Sequence, residues 1–135
     1  MCTIHSIFAS CKQVAPDSFE EDFAFMKDLG YDCHEMYRKG RFRPASFWKS
    51  SMVELAAPPV HKDRTLLTAF RPKNMLTTDK DERNWYVLNC HLQAGSEAPR
   101  RVRQINEGMK AIMTLARKLK GTLSRQVRMW STSEK

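Results

Sequence analysis

The chain has 135 residues, of which 41% are hydrophobic and 28% charged, so its length and composition favour one folded domain. General disorder, a collagen-like repeat and a membrane class are excluded on the same grounds. The formal net charge is +8, and all of this excess lies after residue 99, where ten Lys and Arg oppose two Glu. A basic segment of this kind favours phosphate-bearing partners, but a cationic helix face is more often simply solvated, and taken alone the solvated face is the better interpretation. No signal peptide is evident at the N-terminus, so a cytoplasmic or nuclear location is expected.

The first predicted helix runs from Asp17 to about Leu29. Asp17 can cap the free amide groups at its start, and Glu20, three residues later, completes a capping box. Gly30 is well placed to end the helix in a left-handed conformation. Four apolar side chains at helical spacing predict a core-facing stripe: Phe19, Phe23, Met26 and Leu29.

Strand candidates follow the first helix. They occupy 31–37, 42–48, 52–55 and 64–71. Pro58 and Pro59 break the pattern after the third candidate. The polar segment 72–83 predicts a hairpin loop that leads to another strand at Trp85, so antiparallel neighbours are expected.

The strand that begins at Trp85 is the most informative part of the chain. Aromatic and β-branched residues favour a strand here, and a period of two places Trp85, Val87, Asn89 and His91 on one face. Its last two members are polar, and a Gly-containing loop follows them. Fixed polar groups where a strand ends are typical of a ligand site.

The second predicted helix spans 99–120, with Pro99 in its first turn. Its apolar residues recur at three- and four-residue steps as far as Gly121. The segment 122–135 has no such period and is predicted to be a flexible basic tail. The predicted fold is therefore α+β, with one domain over 1–121, a mainly antiparallel or mixed sheet, and two principal helices at 17–29 and 99–120.

Four cysteines are spaced widely and unevenly, at positions 2, 11, 33 and 90. We expect reduced thiols in the core, because neither a Cys-x-x-Cys pair nor closely spaced histidines indicate a zinc site.

Three blocks of sequence carry a family resemblance. The first is Cys11-Lys12-Gln13, the second runs from Ala45 to Ser50, and the third is Asn89-Cys90-His91-Leu92 followed by Arg101-x-Arg103-Gln104 on the next helix. Together they resemble the N-terminal half of the endonuclease/exonuclease/phosphatase superfamily, which has the DNase-I-like fold, and especially its nocturnin and deadenylase branch. The resemblance covers about residues 11 to 120.

The resemblance implies Mg²⁺-dependent hydrolysis of phosphoesters such as nucleic acid. It implies that His91 donates to the scissile phosphate and that Asn89 helps to order the same site, both as catalytic residues. Gln13 would lie at or beside the metal position, and Gln13, Arg101 and Arg103 would contact the substrate. The fold implied is a partial two-sheet sandwich of low stability, with an uncovered sheet face that favours self-association.

The sequence departs from the family pattern where the chemistry is concentrated. Val14 follows Gln13 where a metal-binding glutamate is expected, and Phe42 and Arg43 replace an Asp-Gly pair. The later Gly-Asp-x-Asn and Ser-Asp-His blocks do not appear, so no metal ligand is assigned. We therefore expect a truncated hydrolase that is inactive as this chain.

Simpler roles compete with these assignments. His91 can be a histidine hydrogen-bonded to its loop, and Asn89 can be a structural amide that ties the loop down. The alternative function is a non-catalytic basic module that uses the segment 100–128 to bind RNA, DNA or an acidic protein.

Overall fold

The computed structural model describes residues 2–4, 7–34, 43–62, 64–73 and 84–119. Its secondary structure confirms the α+β class. The described elements, in chain order, are β1 (Cys2–Ile4), β2 (Phe8–Val14), α1 (Phe19–Asp22), α2 (Ala24–Asp28), β3 (Tyr31–Cys33), β4 (Arg43–Lys49), β5 (Val53–Lys62), β6 (Thr65–Pro72), β7 (Trp85–Cys90) and α3 (Ala98–Lys118).

The strands form two sheets. Sheet A has the order β1-β2-β4-β3, and sheet B has the order β5-β6-β7. Every strand pair among the described residues is antiparallel, as expected where strands follow one another through short connections. The predicted pairing of the Trp85 strand with the strand before it is confirmed, with Phe70 opposite Trp85 and Thr65 opposite Cys90.

The two sheets pack face to face and each carries helices on its outer side. Residues of both sheets build the central core around Trp48 and Phe70. α1 and α2 cover the outer face of sheet A through Phe19 and Met26, and α3 covers sheet B through Ile112. Because both faces of the described strands contribute buried side chains, the uncovered sheet face expected from the sequence is not found within this part of the chain.

β2 and β7 lie in opposite sheets and run in the same direction. At their starts the rings of Phe8 and Trp85 are 5.8 Å apart, and at their ends the Asn89 side chain contacts the backbone of Cys11. The sandwich therefore has two chemically different ends. We call one the aromatic end (Phe8, Trp48, Phe70 and Trp85) and the other the polar end (Lys12, Gln13, His34, His61, Arg64, Asn89 and His91).

The first predicted helix is broken in two at Phe23. Ser18, rather than Asp17, is the N-cap residue, and its hydroxyl donates to the Asp22 carboxylate at 2.6 Å. The Phe23 ring lies 5.1 Å from the ring of Phe47 on sheet A, so packing on the sheet outweighs the continuous helix. Leu29, predicted to be core, is 56% exposed.

Gly30 ends this region as predicted, with a φ of 78°.

The expected break at Pro58 and Pro59 is wrong, because β5 continues through both prolines to Lys62. β5 is an edge strand of sheet B, so one of two consecutive amides faces away from β6, and a proline there removes no bond to a neighbour. The register with β6 shifts between Ala57 and Val60, which accommodates the prolines.

The second helix is confirmed, with Pro99 in its first turn and the end at Lys118. Within the described residues no helix is both long and apolar enough to cross a membrane. Cys33 and Cys90 are free thiols, but Cys11 is disulfide-bonded, which corrects the expectation of reduced thiols throughout. Three predicted parts of the chain lie outside the described residues. They are the end of the first strand candidate (35–37), most of the predicted hairpin loop (74–83) and the predicted tail (122–135).

Candidate functional site

The end of β7 delivers Asn89 and His91 to the polar end, as the alternation along the strand predicted. The backbone N–H of His91 donates to the Arg64 carbonyl at 2.8 Å, in the turn between β5 and β6. Arg64 and His91 are therefore neighbours by backbone geometry. Both side chains are half-buried, so each is accessible from solvent.

The Asn89 side chain joins the two sheets. Its amide nitrogen donates at 2.9 Å to the Cys11 carbonyl on β2 and at 2.9 Å to the Ala45 carbonyl on β4. Both hydrogens of the amide are used in these bonds, and only 6% of the residue is exposed. These two bonds of the Asn89 amide nitrogen are structural. They join sheet B to sheet A, whereas the alternative predicted from the sequence was a structural amide that ties down the loop.

His91 lies in a cationic setting. Burial, and then the nearby charges of Arg64 and Lys12, lower its pKa. The imidazole is therefore largely neutral at pH 7, with one ring N–H available as a donor. A neutral donor between two cations suits an anion such as phosphate.

β2 ends beside β7 and presents Lys12 and Gln13. The register with β4 shifts between Cys11 and Val14, and irregularities of this kind often re-aim side chains beside sites. Gln13 is exposed, Lys12 is half-buried and Val14 is buried. The structure therefore brings Lys12 and Gln13 to the same end of the sandwich as His91.

The loop after His91 is held by the first turns of α3. The Gln93 N–H donates to the Gln104 side-chain oxygen at 3.3 Å, and Arg101 donates to the Gly95 carbonyl. Arg101 is half-buried in this role, whereas Arg103 is exposed on the helix. Of the two arginines predicted to contact substrate, one therefore supports the loop and the other faces solvent.

A pair of stacked histidines extends the polar end, and sequence reasoning assigned them no role. The rings of His34 and His61 lie 5.3 Å apart at 17°. Register places His61 opposite Leu66, which is in turn opposite Asn89, so His61 and Asn89 share one row of sheet B. The register of β5 with β6, and of β6 with β7, is the signal that could have placed His61 and Asn89 in one row.

His34 is only 4% exposed, and neither of its ring nitrogens has a hydrogen-bond partner among the described residues. Burial and the neighbouring His61 lower its pKa to about 4. The pKa of His61 is also lowered, by burial and by the charge of Arg43. Both rings are therefore neutral at pH 7.

The predicted site residues do not fit Mg²⁺. Gln13, Asn89 and His91 offer amide and imidazole groups, whereas Mg²⁺ prefers carboxylate oxygens and water. The charges of Arg64 and Lys12 beside His91 would also repel a cation.

Comparisons with known proteins identify no relative. No family model, no curated protein and no solved structure matches the chain. The resemblance to DNase-I-like enzymes therefore rests on the quoted sequence blocks, and function has to be argued from the geometry of the polar end.

Proposed function

We propose that this protein binds the phosphodiester groups of nucleic acid at its polar end, without hydrolysing them. The observation that carries the proposal is the convergence of Lys12, Arg64 and His91. Two hydrogen bonds produce it: the Asn89 side-chain amide donates to the carbonyl of Cys11, next to Lys12, and the His91 N–H donates to the Arg64 carbonyl. Two cations near a neutral N–H donor form a suitable receptor for a phosphate oxygen.

The family resemblance supports the class of ligand. The blocks around Gln13 and His91 resemble parts of a phosphoesterase, and these blocks lie at the same end of the sandwich. Gln13 and Arg103, both exposed, would extend the contact along the strand of nucleic acid. A location in the cytoplasm or nucleus would give the protein access to such ligands.

The absence of turnover follows from the chemistry of the proposed contacts. The Mg²⁺-dependent hydrolysis that the resemblance implies needs a metal ion, held by carboxylate oxygens, that activates water and neutralises the growing charge. Gln13 is a neutral amide where the family pattern has a glutamate, and the amide nitrogen of Asn89 is committed to the two sheets. His91 donates to phosphate in this proposal, and none of the proposed contacts supplies a carboxylate that could hold the metal.

Fluorescence anisotropy with labelled single-stranded RNA and DNA at low salt tests the proposal. We expect the paired change Lys12→Ala with Arg64→Ala to weaken binding about tenfold and to reduce the slope of log K against log salt by about 1.4, or about 0.7 per lost contact. His91→Ala should weaken binding by a smaller factor. Lys27→Ala with Lys73→Ala removes two positive charges at exposed residues outside the polar end and is the matched control.

Two results would contradict the proposal in different ways. Absence of salt-sensitive binding by the unaltered protein would remove the nucleic-acid function altogether. Mg²⁺-dependent cleavage of the oligonucleotides that disappears in His91→Ala would instead establish the hydrolase and reject binding without turnover. Sedimentation of the free protein would show separately whether it self-associates, which was also predicted from the sequence.

A further inference from the structure

A groove runs between α3 and the edge strand β5, on the outer side of sheet B. Its volume is about 290 Å³. The residues that line it come from both elements: Val60, Lys62, Glu107, Lys110, Ala111, Thr114, Leu115 and Lys118. None of these residues belongs to the polar end.

The groove has an apolar floor and a basic rim. Val60, Ala111 and Leu115 are half-buried and pack against the core beneath α3. Lys62, Lys110 and Lys118 are exposed. Glu107 is the single acidic residue of the lining, so the rim has an excess of positive charge.

We propose that this groove binds an acidic, amphipathic peptide segment of a partner protein. Apolar side chains of the peptide would bury against Val60, Ala111 and Leu115, and its carboxylates would pair with the lysines. The volume suits a few apolar side chains rather than a whole domain. Apolar anchors surrounded by complementary charge are the usual basis of peptide recognition in a groove.

The composition of the lining favours a peptide over nucleic acid. A phosphate backbone needs cations and gains little from an apolar floor. Glu107 would also repel phosphates on the exposed face of α3. A peptide, in contrast, uses both the floor and the rim.

The positions of the lysines define the spacing of the ligand. Lys110 and Lys118 are eight residues apart on one helix, which corresponds to about 12 Å along its axis. Thr114 lies between them, and its hydroxyl donates to the Lys110 carbonyl at 2.9 Å. A helical peptide along α3 would therefore match them with carboxylates about two turns apart.

The test uses the full chain and a labelled synthetic peptide. In this peptide Glu and Leu each recur at three- and four-residue steps, which is helical spacing. We expect saturable binding, weakened about tenfold or more by Lys110→Glu with Lys118→Glu. Ala111→Gln, which places a polar side chain on the floor, should also weaken it. Arg117→Glu reverses one charge at an exposed residue outside the groove and is the matched control for Lys118→Glu alone. It should leave the affinity within about twofold, whereas Lys118→Glu should weaken binding.

Matched peptides separate the contributions of floor and rim. Replacing Glu by Gln in the peptide, or Leu by Ser, should each reduce the affinity, and circular dichroism of each variant should confirm that it folds. The proposal is overturned if the peptide does not bind, if the Leu→Ser peptide binds equally well, or if Arg117→Glu weakens binding as much as Lys118→Glu. A competing oligonucleotide gives one more test. If it displaces the peptide and still binds to the Ala111→Gln variant, the groove binds nucleic acid and the peptide proposal is overturned.

Discussion

At the aromatic end of the sandwich the sheets meet through rings, whereas at the polar end they meet through hydrogen bonds and imidazoles. Phe70 lies 4.8 Å from Phe8 and 5.3 Å from Trp48, between ring centroids. At the other end, Asn89 supplies the two inter-sheet bonds and His34 stacks on His61. The same pair of strands, β2 and β7, thus contributes packing at its start and polar groups at its finish.

This difference separates stability from ligand binding. Ring packing is insensitive to pH and buries large apolar areas, so it suits a structural role. Polar groups held in a fixed geometry are ready to bind a charged ligand, but each must be satisfied when it is buried. Three changes test this division, beginning with the largest expected effect, and a fourth tests the packing of α3 on β7.

Phe70→Ala should lower the free energy of unfolding by about 3–5 kcal/mol, because it opens a cavity at the centre of the aromatic end. Phe70 is fully buried at 0% exposure. Urea unfolding followed by tryptophan fluorescence measures the loss. Phe25→Ala, at a side chain that is 51% exposed, is the control and should change the stability by less than about 0.5 kcal/mol. Equal effects would mean that the aromatic end does not hold the sheets together.

Asn89→Leu should cost about 2–4 kcal/mol, because it roughly keeps the volume but leaves the Cys11 and Ala45 carbonyls without their donor. Thr68 lies on the same face of sheet B as Asn89, but on β6. Thr68→Val removes one longer bond of 3.4 Å to the Val87 carbonyl and should cost less than about 1 kcal/mol. The same unfolding assay compares them. If the two variants were equally stable, the polar end would not depend on the Asn89 bridge.

Acid should weaken the protein through His34. The pKa of His34 is about 4 in the folded chain, whereas its ordinary value, which applies to the unfolded chain, is 6.5. Between these two pH values the unfolded chain therefore binds more protons than the folded chain. Stability is therefore lost as the pH falls through this window, by about 2 kcal/mol between pH 7 and pH 5. The lowered pKa values of His61 and His91 act in the same direction.

His34→Phe isolates this contribution, because it keeps a ring beside His61 and removes the titrating group. Unfolding midpoints measured from about pH 7 to about pH 5 should fall less steeply in the variant than in the unaltered protein. Identical pH dependence in both would show that the buried histidine does not set acid stability.

Gly108→Ala should have the smallest effect, since two contributions oppose each other. A Cβ at this position would lie 2.5 Å from the Leu88 Cδ2, so the Leu88 side chain must move. Alanine also favours the helix by about 1 kcal/mol, so the net change should stay within about 1 kcal/mol. In a Leu88→Ala background the clash disappears and Gly108→Ala should become stabilising. A double-mutant cycle measures this coupling, and independence of the two sites would contradict the close contact between α3 and β7.

Local patterns in the sequence predicted much of the fold. The alternation from Trp85 to His91 predicted β7 and the face that Asn89 shares with Trp85. The three- and four-residue repeat predicted α3, and Gly30 was placed correctly because a positive φ is a local requirement. These features depend on neighbours within a few residues, which the sequence displays directly.

Errors arose where distant residues decide the outcome. The break at Phe23 reflects its packing on Phe47, and the passage of β5 through Pro58 and Pro59 reflects its position at the edge of sheet B. The stacking of His34 on His61 was not predicted at all. Each of these depends on which strands become neighbours, and no local pattern contains that information.

The candidate site shows the same division. The sequence by itself determined that Asn89 and His91 close one strand face, that Val14 follows Gln13 where the family pattern has a glutamate, and that the positive charge is concentrated in the last part of the chain. Tertiary structure alone decided that Lys12 and Arg64 meet His91 and that the Asn89 amide joins the sheets. Strand order and register set the two Asn89 bonds across 44 and 78 residues of sequence, and these bonds form only when the sheets pack.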